Sequence, residues 1–505
     1  MFLSSTLGRR FPQRVKIAFA FTLALAAAIA IGAIAAHQII LATAGLLILI
    51  LSLAIIIWPE SLTLLVVFLL YTNAAVIAVK YHGVPFVLGA SVPLFLVFPL
   101  IYILIFRRQK VLINSIIPLL LVFLSVQAFG TLISENIDVS LNALITYTTE
   151  GLILYFLVLN VVRSPTALRR VIWTLLIAGT LIGSLSVFQQ VTRTFNNYYW
   201  GFAQVGDTGF GTGIETIQGQ ILQPRLAGPL GEKNYYAQVM LMLVPLGLFR
   251  LWGERSRLLR LLAAAATTII MLGAALTFSR GGAVALILLV IIMVMMRYIK
   301  IYQFAIIAIS LLLLMTAVPQ FGKRLTSLQA LTALLNEDSG GVASTDTSVQ
   351  GRLGEMLSAG LVFLDHPVVG VGPGMFKYYY LEYADQVGLQ LHTTTREAHN
   401  LFLDIGADNG ALGLGCFLGI LFFSLRGLAQ TRKTWAAKQP ELANMAAGFM
   451  LSIISYLLTG LFLSMAYSRY FWLILALGGA ASYIAGSDAF AKPENIERTS
   501  AAPHA

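Results

Sequence analysis

Charge is what this chain has least of. Of its 505 residues only 11% are Asp, Glu, Lys or Arg, while 58% are hydrophobic. Soluble domains carry about 25% charged residues. The deficit excludes a soluble globular protein and, with a mean hydropathy of +0.83, puts the chain in a bilayer. Cysteine is nearly missing too. The single Cys416 lies in an apolar run, which excludes an internal disulfide and any CxxC-type metal site. Acids are scarcer than bases, 22 against 33, for a formal net charge of +11. That excess invites a nucleic-acid reading, but the placement of the bases decides against it. There is no tandem repeat and no low-complexity tract, apart from a short polar tail after Gly486.

What is present is a series of apolar runs. Read at roughly 17–25 residues per span, they predict about fourteen helices of an all-α polytopic membrane protein. The limits are 16–36, 38–57, 61–79, 86–106, 111–133, 143–162, 170–191, 235–252, 258–278, 281–299, 301–319, 399–425, 443–464 and 468–486. Arg9, Arg10, Arg14 and Lys16 ahead of the first run resemble the start of a signal peptide, and Ala33-Ile34-Ala35 imitates a cleavage site. The run is closer to a full span than to a signal core of about 7–15 residues, so we read it as a retained helix. It forms the less secure pair with the second run, only His37 and its neighbour separating them.

The bases set the sidedness. With the N-terminus inside, alternate connections collect Arg107, Arg108 and Lys110, then Arg163, Arg169 and Arg170, then Arg250, Arg255, Arg257 and Arg260, then Arg297 and Lys300, then Arg426, Arg432, Lys433 and Lys438, with Lys492 and Arg498 in the tail. About two-thirds of all Lys and Arg fall on that side, the ordinary inner-face excess, with both termini cytoplasmic. The organisation is N-terminal membrane helices 1–191, an outer loop 192–234, central helices 235–319, a large helical outer loop 320–398, C-terminal helices 399–486 and a tail 487–505. Long loops in a compact membrane protein are functional or disordered. FNNYYW (195–200) and the amphipathic runs of the second loop speak for order, although aromatics at a boundary also serve as plain interface anchors.

The informative bases are the minority on the outer side: Arg225 in QPRLAGPLGEKNYYA, Arg280 in TFSRGG, Arg352 in GRLGEM, Arg396 in TTTREAHN and Arg469 in SRYFW. Each one alone is more often a snorkelling anchor than a ligand. Arg225 and Arg280, however, share a predicted side and stand beside glycines, and guanidinium groups grip phosphate oxygens with forked hydrogen bonds. His399 opens an apolar helix just after the polar loop, and a neutral imidazole takes or delivers protons near neutral pH; the bland reading is a buried or capping histidine. Asn400 suits a helix cap. Glu397, Asp404 and Asp408 suggest metal binding only weakly, for the stretch has no His/Cys ligand spacing. The glycines of DHPVVGVGPGMF (365–376) imitate a phosphate loop. Yet a helix precedes them, so a tight turn returning the loop to the membrane is the better reading, with His366 structural.

The order of these motifs resembles the O-antigen ligase/polymerase superfamily over roughly Gln223 to Trp472. It rests on R-x-x-G-x-x-x-x-x-N (Arg225 to Asn234), then SRGG (279–282), then Arg352 and HPVVGVGPGMF in a long external loop, then His399-Asn400 before a glycine-rich helix. Met356 stands where a tryptophan is usual, and GEKNYYA replaces the commoner N-P-N form. The resemblance implies a metal-independent, inverting glycosyltransferase of the GT-C-like type in the bacterial inner membrane, with no cofactor. Its donor would be a glycan on undecaprenyl diphosphate at the periplasmic or outer face, its acceptor a glycan or lipid, and a chain-length regulator a protein partner. By the same resemblance Arg225 and Arg280 would hold the donor diphosphate and His399 would serve the acceptor hydroxyl. Arg352, Arg396, Asn234, Asn400, Tyr379 and Arg469 would contact substrate. A polymerase is the first expectation and a ligase moving glycan to lipid A–core or protein the second. A small-anion transporter, for which two arginines also suffice, is a third, disfavoured by the absence of internal repeats.

Overall fold

A computed structural model describes residues 59–216, 219–300, 302, 347–387, 394–464 and 468–486. The spans expected at 16–36, 38–57 and 301–319, and the tail, lie outside the described residues. The described chain is mostly helical, and seven of its helices are long and apolar enough to cross a membrane, or eight if one bent pair counts as a span.

The bent pair is the first departure. The run expected at 61–79 forms α1 (Pro59–Tyr71) and α2 (Ala74–His82), which meet at 58°. Asn73 between them takes φ 60°, a left-handed conformation that asparagine tolerates, and its side-chain amide donates to the Pro229 carbonyl at 2.9 Å. The run expected as one span at 86–106 is a succession of short turns, Phe86–Ala90, Val92–Leu96, Val97–Ile101 and Tyr102–Phe106. Pro93 and Pro99 lack the amide hydrogens that a continuous helix needs there.

The other described spans stand close to expectation. They are α3 (Ile116–Ile133), α4 (Ile137–Val161, with a π-turn stretch at Tyr147–Ile153) and α5 (Pro165–Thr192), then α6 (Lys233–Gly253), α7 (Arg257–Ala275) and the shorter α8 (Arg280–Met295). After the outer segment come α11 (Leu401–Trp435), α12 (Pro440–Gly460) and α13 (Arg469–Gly486). α6 and α12 are central, with 78% of each apolar window buried. Leu132, Leu181, Leu262 and Phe422 face outward, as lipid-facing side chains do.

Between α5 and α6 the expected outer loop is an antiparallel hairpin, β1 (Gln204–Thr216) and β2 (Gly219–Gly228), with several register irregularities. The protein is therefore not purely α-helical. The segment before α11, expected as a large outer loop, contains α9 (Thr347–Asp365) and α10 (Phe376–Val387), as its amphipathic runs predict.

α11 is broken at Gly410, where φ is +63° and ψ −168°. The glycine segment between α9 and α10 fills the break. Ala411 and Leu412 amides donate to the Pro367 and Val368 carbonyls, and the Val371 and Gly372 amides donate to the Ala407 and Asp408 carbonyls, at 2.7–3.2 Å. The buried Asp408 carboxylate accepts from the Gly374 and Phe376 amides at 2.6 and 2.9 Å. DHPVVGVGPGMF is thus a clasp that stitches the α9–α10 segment into the apolar helix α11, not a phosphate loop. A Cβ at Gly410 would lie 2.3 Å from the Val368 carbonyl, on a backbone that only glycine adopts at ease. Gly410→Ala should cost at least about 1–3 kcal/mol in backbone strain alone. A melting temperature in detergent equal to that of the parent would refute this.

Bases and acids gather at the far ends of these helices. Arg250 and Glu254, at the C-terminal end of α6, are buried as a pair 3.3 Å apart; Arg250 also reaches Glu441, and Glu254 also takes Arg169 and the Trp173 indole. The opposite end of α6 carries the site described next.

Candidate functional site

Three helix N-termini meet at that end. Glu232 caps α6 by accepting from the Tyr235 amide at 2.7 Å, Ser279 caps α8 by accepting from the Gly282 amide at 3.2 Å, and Asn400 caps α11 by accepting from the Phe402 and Leu403 amides. They are linked side chain to side chain. Ser279 donates to Asn234 Oδ1 at 2.9 Å, while Tyr235 donates through its hydroxyl to the Glu397 carboxylate and, at 3.2 Å, to the Ser464 carbonyl. Asn400 donates to the Leu461 carbonyl at the end of α12 at 3.2 Å. Each N-terminus presents partial positive charge, so their convergence favours an anion.

Arg225 and Arg280 belong to the same locus. Arg225, on β2, donates from Nε to the Thr277 carbonyl at 2.9 Å, and from Nη2 to the Phe278 carbonyl at 3.3 Å and Asn234 Oδ1 at 3.4 Å. The neighbouring Leu226 amide donates to the Leu276 carbonyl at 3.2 Å, so the hairpin is fastened along the α7–α8 turn. Arg280 is the first residue of α8, immediately after the Ser279 that binds Asn234. The two arginines are 6% and 7% exposed, so their charges are largely desolvated and demand polar or anionic partners. Asn234 accepts from both Arg225 and Ser279, the residue before Arg280.

His399 sits just before the Asn400 cap with φ +48°, outside the helix it introduces. Its Nδ1 lies 3.1 Å from the Glu397 carbonyl and 2.9 Å from a carboxylate oxygen of Glu355, on α9. Burial alone would lower the imidazole pKa, and the Arg352 charge lowers it further. The Glu355 carboxylate, helped by the Glu397 carbonyl, outweighs both and leaves it above its ordinary value. Glu355 was not visible as a site residue in the sequence. The signal available was its position: with Gly351, Gly354 and Ser358 it lies on the buried stripe of α9, where an acid is out of place.

The remaining expected residues divide. Arg352, one turn before Glu355, acts electrostatically on His399. Arg396 and Glu355 both act on the buried Tyr380. Tyr379 turns elsewhere: its ring meets His366 edge-on at 6.0 Å, and burial together with a hydrogen bond to Glu135 pushes its hydroxyl up to about 12. Of the three consecutive tyrosines it is Tyr380 that adjoins the histidine's carboxylate. Arg469 forms an ion pair with Glu150 at 2.9 Å, on the π-turn stretch of α4. Among the described residues no group of three or more His, Cys, Asp or Glu is placed to hold a metal ion; Asp408, one of the acids that suggested one, is occupied by the glycine clasp.

No curated protein matches the chain. A family model described as O-antigen ligase matches residues 263–418, which run from within α7 through α8, α9 and α10 into α11. The matched segment includes Arg280, Glu355 and His399, while Arg225 and Asn234 precede it. Over this segment, which holds SRGG, Arg352, the glycine stretch and His399-Asn400 in the order read from the sequence, the chain is similar to the O-antigen ligase/polymerase superfamily.

Proposed function

We propose that the protein is a bacterial inner-membrane glycosyltransferase that moves a glycan from a polyprenyl-diphosphate carrier, undecaprenyl diphosphate, to an acceptor hydroxyl on the outer face. The observation that carries this reading is the hydrogen-bonded path from Arg225 and Ser279 through Asn234, Glu232 and Tyr235 to Glu397, beside His399. It runs from Arg225 and from the Ser279 that precedes Arg280 to the neighbourhood of His399, which supports a shared site for two cations and one base.

The chemistry balances without a metal or cofactor. The acceptor oxygen attacks the anomeric carbon and gives its proton to His399. The bond from that carbon to the diphosphate oxygen breaks, with inversion, and the diphosphate leaves with its added negative charge held by Arg225 and Arg280. Base and cations each act on charge that develops in the transition state. Asn234 and Asn400 hold the helix ends that carry these groups, and Arg352 and Arg396 bring further positive charge from the external loop.

We read the acceptor first as another lipid-linked repeat unit, making the protein a polymerase of surface polysaccharide that would work with a chain-length regulator. The description of the matching family model favours the second reading, a ligase that delivers finished glycan to lipid A–core or protein. Purified protein given a polyprenyl-diphosphate oligosaccharide with each acceptor in turn separates them. Lengthened carrier-linked glycan supports the polymerase, and glycan on the alternative acceptor supports the ligase. No transfer to either would reject the glycosyltransferase reading.

A further inference from the structure

The external loop does more than cover the site. We infer that Glu355, carried by loop helix α9, is a positioning residue that holds His399 with its proton on Nδ1 and its lone pair on Nε2, so that the base is assembled only when α9 is docked against the start of α11. The inference rests on the proposed role of His399 as base.

The geometry narrows the ring to one useful tautomer. Near Nδ1 the Glu397 carbonyl, at 3.1 Å, stands in hydrogen-bond geometry, and the Glu355 carboxylate lies beside it at 2.9 Å; both are acceptors only. A neutral imidazole between them must therefore carry hydrogen on Nδ1, which leaves Nε2 to take the acceptor's proton. When Nε2 receives it, the resulting imidazolium faces a carboxylate that is itself 3% exposed. In so dry a setting that pairing strengthens and favours the protonated ring.

The charged groups around His399 come from several elements. α9 supplies Glu355 and, opposing it, Arg352; α10 adds Tyr380, which feels both Glu355 and Arg396. The Glu397 carboxylate is turned to the Tyr235 hydroxyl of α6 rather than to the ring. Glu355 is thus the acid that answers the histidine, and it arrives from a different part of the chain. What keeps α9 in place is the glycine clasp in the break of α11, eleven residues beyond His399 in sequence. The device couples loop docking to base strength.

The test is Glu355→Gln in the full chain, which keeps shape and removes charge. With a polyprenyl-diphosphate oligosaccharide as donor, kcat should fall on the order of tenfold or more while the donor KM stays nearly constant. The acidic limb of the kcat/KM profile should move to lower pH, because the ring deprotonates more readily without its carboxylate. NMR of ring-labelled histidine, with the His399 signal assigned from its absence in His399→Asn, should show a lower titration midpoint in E355Q. Glu355→Asp keeps the charge but withdraws it by one methylene, and should give an intermediate midpoint. It is the variant to read if E355Q fails to fold. An unchanged His399 midpoint in whichever variant folds, with an unchanged pH profile, would overturn the inference. If His399→Asn is inactive and E355Q behaves as the parent, only the positioning role is lost. If His399→Asn transfers glycan normally, the proposed base is wrong whatever E355Q does.

Discussion

Replacing His399 by alanine should lower glycan transfer on the order of 10²–10⁴-fold, the usual contribution of a positioned general base, while the helices remain folded. The argument begins with the backbone. His399 has φ +48°, which alanine accepts with strain and asparagine accepts well. Alanine alone would therefore confound a lost base with a shifted helix start. His399→Asn keeps the left-handed backbone and a polar side chain but supplies no base near neutral pH. Both variants should be inactive with purified lipid-linked donor, and asparagine should melt closer to the parent than alanine. Asn400, which caps α11, is unchanged in either. Normal transfer by the asparagine variant would remove His399 from the chemistry and leave it a structural residue.

Arg280→Lys should weaken transfer on the order of tenfold to a hundredfold, less than the 10²–10³ that follows deletion of a whole electrostatic contact, because the charge survives. What lysine loses is the planar fork that meets two phosphate oxygens at once. Arg280 begins α8 just after the Ser279 cap, so in the proposed reading helix end and guanidinium would act on the same anion from one direction. A shorter-reaching point charge at a site 7% exposed cannot gather ordered water to replace the fork. The donor KM should rise and kcat should fall, since the leaving diphosphate carries more charge in the transition state than in the ground state. Inorganic pyrophosphate should inhibit the variant less than the parent. Equal inhibition and unaltered kinetics would argue that Arg280 only anchors α8.

Much of this site is legible in the sequence because its pieces are local. SRGG, HN and the arginine before GEKN each sit where a cap or a helix start fixes them, and caps are written within four residues. Sidedness then places them at one end, and the structure links them there. What the sequence conceals depends on partners far along the chain. The hairpin 204–228 carries too many glycines to show alternation, and its strands are recognised by pairing with each other and by the grip of Arg225 on the α7–α8 turn. The bend at Asn73 follows from the Pro229 carbonyl, a neighbour in space only. Glu355 looks like any acid on an amphipathic helix until His399 is placed 2.9 Å away. The same holds for Gly370, Gly372 and Gly374, whose meaning as a clasp requires the break at Gly410 on the opposite side of the join.

The hydrogen bonds of Arg225 to the Thr277 and Phe278 carbonyls have a mechanical corollary. One guanidinium braces the very turn from which the second emerges, so the pair cannot drift independently. Lengthening the hairpin by a residue, or shortening the turn by one, would dislodge both cations in the same event.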